Sequence, residues 1–260
     1  MELRFKDYSY KNKKLSFTLK EKEINGISGN DKIIDLIRLN DSIDNIYLNH
    51  KELTNNKYKE IKNKIVFIDE KLDVDIKEDT IEQIMIEYIK YKEVYPKNLN
   101  KKLRDSLKIV GLNKEYLERT FNSLSHSEKK LIQISLGLLI NPEMIILKEP
   151  FKVLDRNNQK RLMLVLKKIK DEYQKCIVFV SDNPEVLYNN TEHLILFKND
   201  NVILEEKTSI AYQRVDFLKK NKIDIPEIVE FVYLAKKEKK VKIDYSNDVR
   251  DLIKDIYKHV

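Results

Sequence analysis

The sequence has little of several residue types, and each shortage excludes a class of protein. A single cysteine among 260 residues rules out an internal disulfide and favours a reducing compartment such as the cytosol. That cysteine, Cys176, lies in the apolar run KCIVFVS and is expected to be a core residue. The four histidines include no pair at metal-ligand spacing, which argues against a histidine-built metal site. No apolar signal segment and no run of about 18 apolar residues occurs, so neither secretion nor a membrane span is predicted.

Glycine is also scarce, with four in the whole chain. Two lie in INGISGNDKII (residues 24–34), and the others are Gly111 and Gly137. Because glycine permits positive φ and close backbone approach, such geometries are expected at few positions. The hydrophobic fraction of 42% is nevertheless enough to bury a sizeable core, so the chain is predicted to be globular.

The charge balance is mildly basic. There are 50 Lys and Arg against 43 Asp and Glu, a formal net charge of +7, which permits contact with acidic partners. The lysines are scattered, and no basic block is interleaved with aromatic residues. A solvated surface is therefore favoured over a nucleic-acid interface.

The order of hydrophobic patterns predicts an α/β protein with a largely parallel sheet. LRFKDYSY and LSFTLK alternate with period two and predict antiparallel strands at the start. KIIDLIRL predicts a helix whose inward residues include Ile33 and Ile34, together with Leu36 and Ile37. NIYLN and KIVFI are further predicted strands.

From Thr80 to about Asn122 the pattern changes to three successive amphipathic helices with no strand between them, which predicts an inserted helical subdomain. These helices are TIEQIMIEYIKYKEVY, NKKLRDSLKIVGL and KEYLERTF. The α/β alternation then resumes, and after about Ser209 the chain is helical and more polar. The resumed elements are the helix SHSEKKLIQISLGLLI, the strand EMIILKEP, the helix RNNQKRLMLVLKKIKDEY, the strand CIVFVSD and a hairpin of HLILFK with NVILEE.

The segment INGISGNDKII has the spacing of a phosphate-binding loop, G-x-x-x-x-G-K-[ST]. Such a loop surrounds phosphate oxygens with backbone N–H groups, and the hydroxyl after its lysine holds Mg²⁺. Gly26, Gly29 and Lys32 stand at suitable positions. Asp31, however, replaces the last glycine, and Ile33 replaces the hydroxyl residue.

Further motifs follow in a characteristic order. They lie in LSHSEKKLIQISLGLLINPEMIILKEPFKVLD (residues 124–155) and CIVFVSDNPEVL (176–187). With the loop, this order and spacing resemble the ATP-binding subunit of an ABC transporter. The tail VDFLKKNKIDIPEIVEFVYLAKKEKKVKI (215–243) further resembles the ATPases of energy-coupling-factor (ECF) transporters.

The resemblance implies the fold and its division. We expect a P-loop NTPase fold of the ABC ATPase type, with an antiparallel β subdomain, an inserted helical subdomain and a small helical C-terminal extension. The ATPase-like domain is placed at residues 1–210, with its helical subdomain at about 78–123. Residues 211–260 are assigned to the extension, with a possible role in dimerisation or regulation.

The family binds ATP with Mg²⁺, whose protein ligands are the loop Ser or Thr, an aspartate ending a strand and a glutamine. By resemblance these positions are Ile33, Lys148 and Ile68 here, none of which offers an oxygen. Asp31 would in addition place a carboxylate among groups that bind anions. No cofactor is therefore expected at the chain's own site.

Lys148 ends an apolar strand where ligands of such sheets bind, so its ammonium group needs an acidic partner. We expect an ion pair with Asp31 or with Glu149. Two alternatives stay open: Lys148 extends into solvent, or its charge replaces that of the metal beside a bound nucleotide.

The resemblance also assigns the catalytic positions. Glu149 matches the carboxylate that polarises the attacking water and is expected to be silent without metal or phosphate. Asp182 stands at the position of the switch histidine that contacts the γ-phosphate. Tyr10 either stacks on adenine or is an ordinary residue at a strand end.

The family's signature segment, L-S-G-G-Q, acts on the nucleotide of a second subunit. Here it reads Ser125, His126, Ser127 and Glu128 after Leu124, so both glycines of the family pattern are replaced. Asp155 of the loop across the subunit interface is retained. Ser125-x-x-Glu128 before an apolar helix is also a capping box, which explains these residues without a ligand.

The residues together predict a degenerate, catalytically inactive ABC-type subunit of an ECF-like transporter. The partners implied are a second ABC ATPase subunit and an integral membrane component, with the chain cytoplasmic and peripheral on the inner face of the membrane. The alternatives are an active transport ATPase with an unorthodox site and a nucleic-acid-associated ABC protein. The short interval between loop and signature, without sustained heptads, argues against the latter.

Overall fold

The structure is a computed structural model that describes residues 1–29, 32–37, 43–69, 79–152 and 154–239, together with Arg250 and Lys254. Within these residues the strands are β1 (Leu3–Tyr10), β2 (Lys13–Leu19), β3 (Ile24–Ser28), β4 (Ile46–Leu48), β5 (Lys51–Glu52), β6 (Ile65–Ile68), β7 (Met144–Lys148), β8 (Cys176–Val180), β9 (His193–Lys198) and β10 (Asn201–Lys207). The helices are α1 (Lys32–Ile37), α2 (Asn55–Lys62), α3 (Ile81–Tyr91), α4 (Leu99–Ile109), α5 (His126–Leu139), α6 (Arg156–Tyr173), α7 (Pro184–Asn190), α8 (Thr208–Gln213), α9 (Val215–Lys220) and α10 (Glu227–Lys239). None of the described helices is both long and apolar enough to cross a lipid bilayer.

A six-stranded sheet has the order β10-β9-β3-β8-β7-β6. Five neighbouring strands, β6, β7, β8, β3 and β9, are parallel, and β10 pairs antiparallel with β9 as a hairpin. Strands β3, β7 and β8 read as continuous apolar runs because both faces of the sheet are covered. Their carboxyl ends meet at one edge, which is where ligands of open α/β sheets bind. The predicted parallel sheet is confirmed.

A second, four-stranded sheet has the order β2-β1-β4-β5 and is antiparallel throughout. Its first two strands alternate buried and exposed residues because one face packs on the core. On the inner face the rings of Phe5 and Phe17 stack with their centroids 4.4 Å apart. The antiparallel strands predicted at the start of the chain are therefore confirmed.

The large sheet separates two hydrophobic clusters, and its central strands contribute to both. Strand β8 shows this most clearly: Cys176, Val178 and Val180 belong to one cluster, whereas Ile177 and Phe179 belong to the other. The first cluster also holds α1 and the inner face of the antiparallel sheet, and the second holds α3 to α7. Burial raises the pKa of the Cys176 thiol to about 12, consistent with a core residue.

The helical subdomain contains two of the three predicted helices, α3 and α4. The prediction of a third helix over KEYLERTF is wrong: the chain forms two short 3₁₀ turns, Lys114–Glu118 and Phe121–Ser123. Between them Arg119 and Thr120 are extended, because Thr120 pairs with Thr80 and the Arg119 carbonyl accepts from the Ile81 amide. The residues at the start of α3 thus pair with Arg119 and Thr120, and this tertiary contact prevents a continuous helix over KEYLERTF.

Two helices were not predicted from the sequence. α2 buries only Ile61 and lacks a strong apolar face, although Thr54 caps it. α7 has a short but regular signal, since Asn183 caps it and Pro184 opens it. Towards the carboxyl terminus, α8 packs on the second cluster, where the Tyr212 ring contacts the Tyr188 ring edge-on. The domain boundary near residue 210 stays a prediction.

Candidate nucleotide site

The segment with phosphate-loop spacing begins inside strand β3. Gly26 lies in mid-strand, opposite Phe179 of β8 and Leu194 of β9. A Cβ atom at Gly26 would lie 2.8 Å from the Thr191 hydroxyl and 3.2 Å from the Leu187 side chain. The glycine is therefore explained by the close approach of α7 to the sheet.

The turn out of β3 is made at Gly29, which has φ +148°. A Cβ atom there would lie 2.7 Å from the carbonyl oxygen of Phe197 in β9. Asp31 lies outside the described residues, and so does the predicted ion pair between Asp31 and Lys148. Lys32 is the first residue of α1.

The positions assigned to magnesium ligands carry aliphatic side chains in the core. Ile33 is fully buried and belongs to the cluster that contains Phe17 and Val178. Ile68 ends β6, is 4% exposed and belongs to the opposite cluster. Lys148, the third position, is half-buried at the end of β7, opposite Val180 of β8. These two aliphatic side chains and the ammonium group do not fit an ion that requires oxygen ligands.

Glu149 is held against the end of β8. Its backbone has φ 42°, and its N–H donates to the Val180 carbonyl at 2.9 Å. Its carboxylate accepts from the Ser181 hydroxyl at 2.9 Å and from the Asp182 N–H at 3.0 Å. The structure thus brings Glu149 and Asp182 together, but through the Asp182 backbone, while the Asp182 side chain is exposed.

Ser181 is a residue of this edge that the sequence reasoning missed. It is buried, and its hydroxyl donates to Glu149 and accepts from the Asn183 N–H at 3.1 Å. Its own N–H donates to the Ile27 carbonyl at 3.1 Å, so it also joins the ends of β3 and β8. A small hydroxyl residue directly after a buried strand was the available signal.

The cavity in front of this edge is acidic. It has a volume of about 690 Å³ and is lined by five carboxylates and one ammonium group. Such a concentration of negative charge repels the phosphates of a nucleotide. The lining consists of Glu149, Lys152, Asp182, Asn183, Pro184, Glu185, Asp224, Ile225 and Glu227.

The signature segment forms a complete capping box at the start of α5. The Ser125 hydroxyl accepts from the Glu128 N–H at 3.3 Å, and the Glu128 carboxylate accepts from the Ser125 N–H at 2.8 Å and from its hydroxyl at 2.7 Å. The same carboxylate accepts from Tyr116 Oη and, at 3.0 Å, from an Arg119 guanidinium nitrogen. His126 and Ser127 are the first two residues of the helix.

This network fixes the charge of Glu128. The hydrogen bond from Tyr116, followed by those from Ser125 and Arg119, lowers the pKa of Glu128 to about 2. The same hydrogen bond raises the pKa of the Tyr116 hydroxyl. The Ser125 hydroxyl therefore donates to a carboxylate of its own chain, whereas contact with a phosphate would require it to turn away.

Asp155 and Tyr10 also have structural roles. Asp155 caps α6: one carboxylate oxygen accepts from the N–H groups of Asn157 and Asn158, each at 2.9 Å. The hydrogen bond from the Asn158 N–H is the largest cause that lowers the pKa of Asp155. Tyr10 ends β1 on the antiparallel sheet, and the Lys11 ammonium lies 5.2 Å from its ring centroid. Contacts of Asp155 with a second subunit and of Tyr10 with adenine stay predictions.

Comparison with protein families gives a match to the model described as ABC transporter over residues 12–152. The chain is 31% identical over 137 residues to a putative ABC transporter ATP-binding protein of Pyrococcus furiosus, covering 53% of this chain and 49% of that protein. It is 24% identical over 180 residues to the energy-coupling factor transporter ATP-binding protein EcfA2 of Enterococcus faecalis, covering 69% and 62%. The chain thus spans about half of the first relative and about three fifths of the second.

Solved structures resemble this fold over most of their length. CbiO1 of Clostridium perfringens, part of the ABC transporter complex CbiONQ, has a TM-score of 0.70 at 17% identity and covers 89% of this chain and 98% of its own. MJ1267, an ATP-binding cassette of an ABC transporter, has a TM-score of 0.70 at 19% identity, covering 87% and 100%. The predicted ABC ATPase fold is therefore confirmed.

Proposed function

Because the chain belongs to the ABC transporter family, we propose that it is an ATP-binding-type subunit of an ECF-like transporter whose own hydrolytic site is inactive. It pairs with an active ATPase subunit and couples that subunit to a membrane component. On this proposal it is located at the inner face of the membrane without spanning it. Substrate choice would then belong to the membrane component.

The observation that carries the proposal is the burial of Ile33. The hydroxyl expected after the loop lysine is a magnesium ligand, and at this position an aliphatic side chain packs into the core beneath the antiparallel sheet. A water molecule that replaced this ligand would have to enter a hydrophobic cluster, which is costly. Ile68 blocks a second ligand position in the same way from the other face of the sheet.

The arrangement of acidic groups supports the same conclusion. A general base must contact the attacking water, and hydrogen bonds from Ser181 and Asp182 hold the Glu149 carboxylate against the end of β8 and reduce its basicity. The Asp182 side chain offers a negative charge where the family has a histidine. The acidic cavity would further repel the γ-phosphate.

The transporter assignment rests on similarity to named relatives and on the retained interface positions. Relatives from Enterococcus faecalis and Clostridium tetani are named as energy-coupling factor transporter ATP-binding proteins. Ser125 and Asp155 cap exposed helix ends, so both stand at the surface where a second subunit would meet them. On this proposal Ser125 and Asp155 would complete the nucleotide site of the intact ATPase subunit, with both signature glycines replaced.

Isothermal titration calorimetry with Mg-ATP tests the inactive site. We expect no metal-dependent binding by the unmodified chain up to about 1 mM nucleotide, which corresponds to less than about 4 kcal/mol of binding free energy. The variant Asp31→Gly, Ile33→Ser, Lys148→Asp restores the family residues at three positions and is expected to gain such binding. Ile34→Ser, which places the same hydroxyl on the neighbouring buried position, is the matched control and should gain nothing.

The unmodified chain decides the question even where the triple variant folds poorly, which circular dichroism would reveal. Micromolar, Mg²⁺-dependent binding by the unmodified chain would contradict the inactive site. It would favour an active ATPase with unorthodox ligands. Pairing is tested separately by sedimentation of the chain with an ATPase subunit whose motifs are intact, where a mixed dimer is expected.

A further inference from the structure

A cleft of about 490 Å³ lies between α4 and the carboxyl-terminal part of α6, with Leu138 of α5 among its lining residues. None of its lining residues belongs to the nucleotide motifs. Its volume is within the range of small-molecule sites, about 300 to 1,000 Å³. The lining consists of Lys102, Asp105, Ser106, Lys108, Ile109, Leu138, Lys168 and Tyr173.

The charge of the cleft is uncompensated. Three lysines and one aspartate line it, which leaves two net positive charges. Within the described part of the chain neither Lys102 nor Lys108 has an acidic partner. Lys168 is 4.0 Å from Glu172, the outer limit of an ion pair, and both side chains are largely exposed, so this contact is weak. The net positive charge of the lining favours the entry of an anion.

The remaining lining offers an apolar surface beside these charges. Ile109 is partly buried and Leu138 is 7% exposed, so they provide an aliphatic wall. Tyr173 is 39% exposed at the end of α6, and its ring can pack against a flat group. Ser106 donates its hydroxyl proton to the Leu103 carbonyl, so its oxygen can accept but not donate.

From this combination we propose that the cleft binds a small phosphate monoester that carries a ring. A phosphate monoester has a charge of about −1.5 to −2 at pH 7, which matches the net charge of the lining. The lysine ammonium groups bind the phosphate oxygens as point charges, and the ring packs against Tyr173 and Ile109. Because α4 belongs to the helical subdomain and α6 covers the sheet, the bound molecule would join these two parts.

Titration calorimetry on the whole chain with phenyl phosphate as the probe tests this site. We expect binding that is at least fivefold tighter than that of inorganic phosphate and is absent for phenol. The double variant Lys102→Gln, Lys168→Gln should weaken phenyl phosphate binding at least tenfold. Lys167→Gln, which changes an exposed lysine on α6 outside this cleft, is the matched control and should leave the affinity unchanged.

Two more variants test the contact of the ring with Tyr173 and the location of the binding site. Tyr173→Leu should remove the advantage of phenyl phosphate over inorganic phosphate while inorganic phosphate binding persists. Lys32→Gln, a substitution in the loop segment, should leave both affinities unchanged. Loss of phenyl phosphate binding on Lys32→Gln would overturn the proposal. It would also be overturned if the double variant Lys102→Gln, Lys168→Gln and the control Lys167→Gln weakened phenyl phosphate binding equally.

Discussion

The hydrogen-bond network around Glu128 makes a quantitative prediction for Glu128→Gln, which restores the glutamine of the family's signature. The variant keeps the size of the side chain but has one carbonyl oxygen, so its NH₂ group must face either the Tyr116 and Arg119 donors or the Ser125 donors. The hydrogen bonds that remain lose their charge assistance. The fall of the Glu128 pKa from 4.5 to about 2 corresponds to about 3 kcal/mol of stability that depends on the negative charge of Glu128. Because the side chain is 20% exposed and its partner Arg119 is 38% exposed, solvent screening reduces the expected loss to about 1 to 2 kcal/mol.

The pH dependence gives this prediction its sign. The pKa of Glu128 is lowered in the folded state, so its contribution to stability is fully present above the unfolded value of 4.5. The contribution is lost as pH falls from 4.5 towards about 2. The stability difference between the wild type and Glu128→Gln should therefore be largest at pH 7 and should shrink steadily below pH 4.5.

Urea unfolding at a series of pH values measures this difference. Tyr116→Phe removes the largest cause of the lowered pKa and should reproduce part of the effect, with the Glu128 pKa closer to its ordinary value. Glu118→Gln, at an exposed acid in the same subdomain, is the control and should change little. A loss that is the same at pH 7 and pH 3 would refute the assignment to the Glu128 charge.

Two further substitutions test the edge of the sheet. Glu149→Gln leaves one oxygen, which can accept from only one of Ser181 and Asp182 as they are placed, and should lower the free energy of unfolding by about 0.5 to 1.5 kcal/mol, without effect on ATP turnover by a mixed dimer. A large loss of turnover would instead make Glu149 catalytic. Gly26→Ala should destabilise by about 1 to 3 kcal/mol through its contact with Thr191, as measured by thermal unfolding, and Thr191→Ala in the same chain should recover part of that loss. Full additivity of the two changes would show that the contact is not the cause.

Much of the fold could be predicted because the local and tertiary signals agree. α6 has its predicted bounds, Arg156–Tyr173, since its apolar face has helical period and Asp155 caps its start. The buried strands β7 and β8 were found from continuous apolar runs between polar segments. The two 3₁₀ turns were mistaken for a helix because the pairing of Thr80 with Thr120 is a tertiary contact that periodicity does not register.

The candidate site was predictable in its chemistry but not in its contacts. The residue types at Ile33 and Ile68 predict that oxygen ligands are missing at these two positions, and the structure buries both side chains in the core. Their assignment as magnesium-ligand positions stays a prediction. The hydrogen bonds of Glu149 could not be predicted, because they depend on a left-handed backbone at Glu149 and on Ser181, which no motif singled out. The partner predicted for Lys148 is Asp31 or Glu149, and Asp31 lies outside the described residues.

The division of β8 between two hydrophobic clusters has a consequence for how the molecule unfolds. Alternate residues of one strand hold the layers on opposite faces, so neither layer can melt without exposing half of the strand that supports the other. A single calorimetric transition follows, with the slowest amide exchange in β3 and β8. Substitutions at the exposed edge of the sheet are expected to leave this cooperative unit intact, because they remove no residue from either cluster.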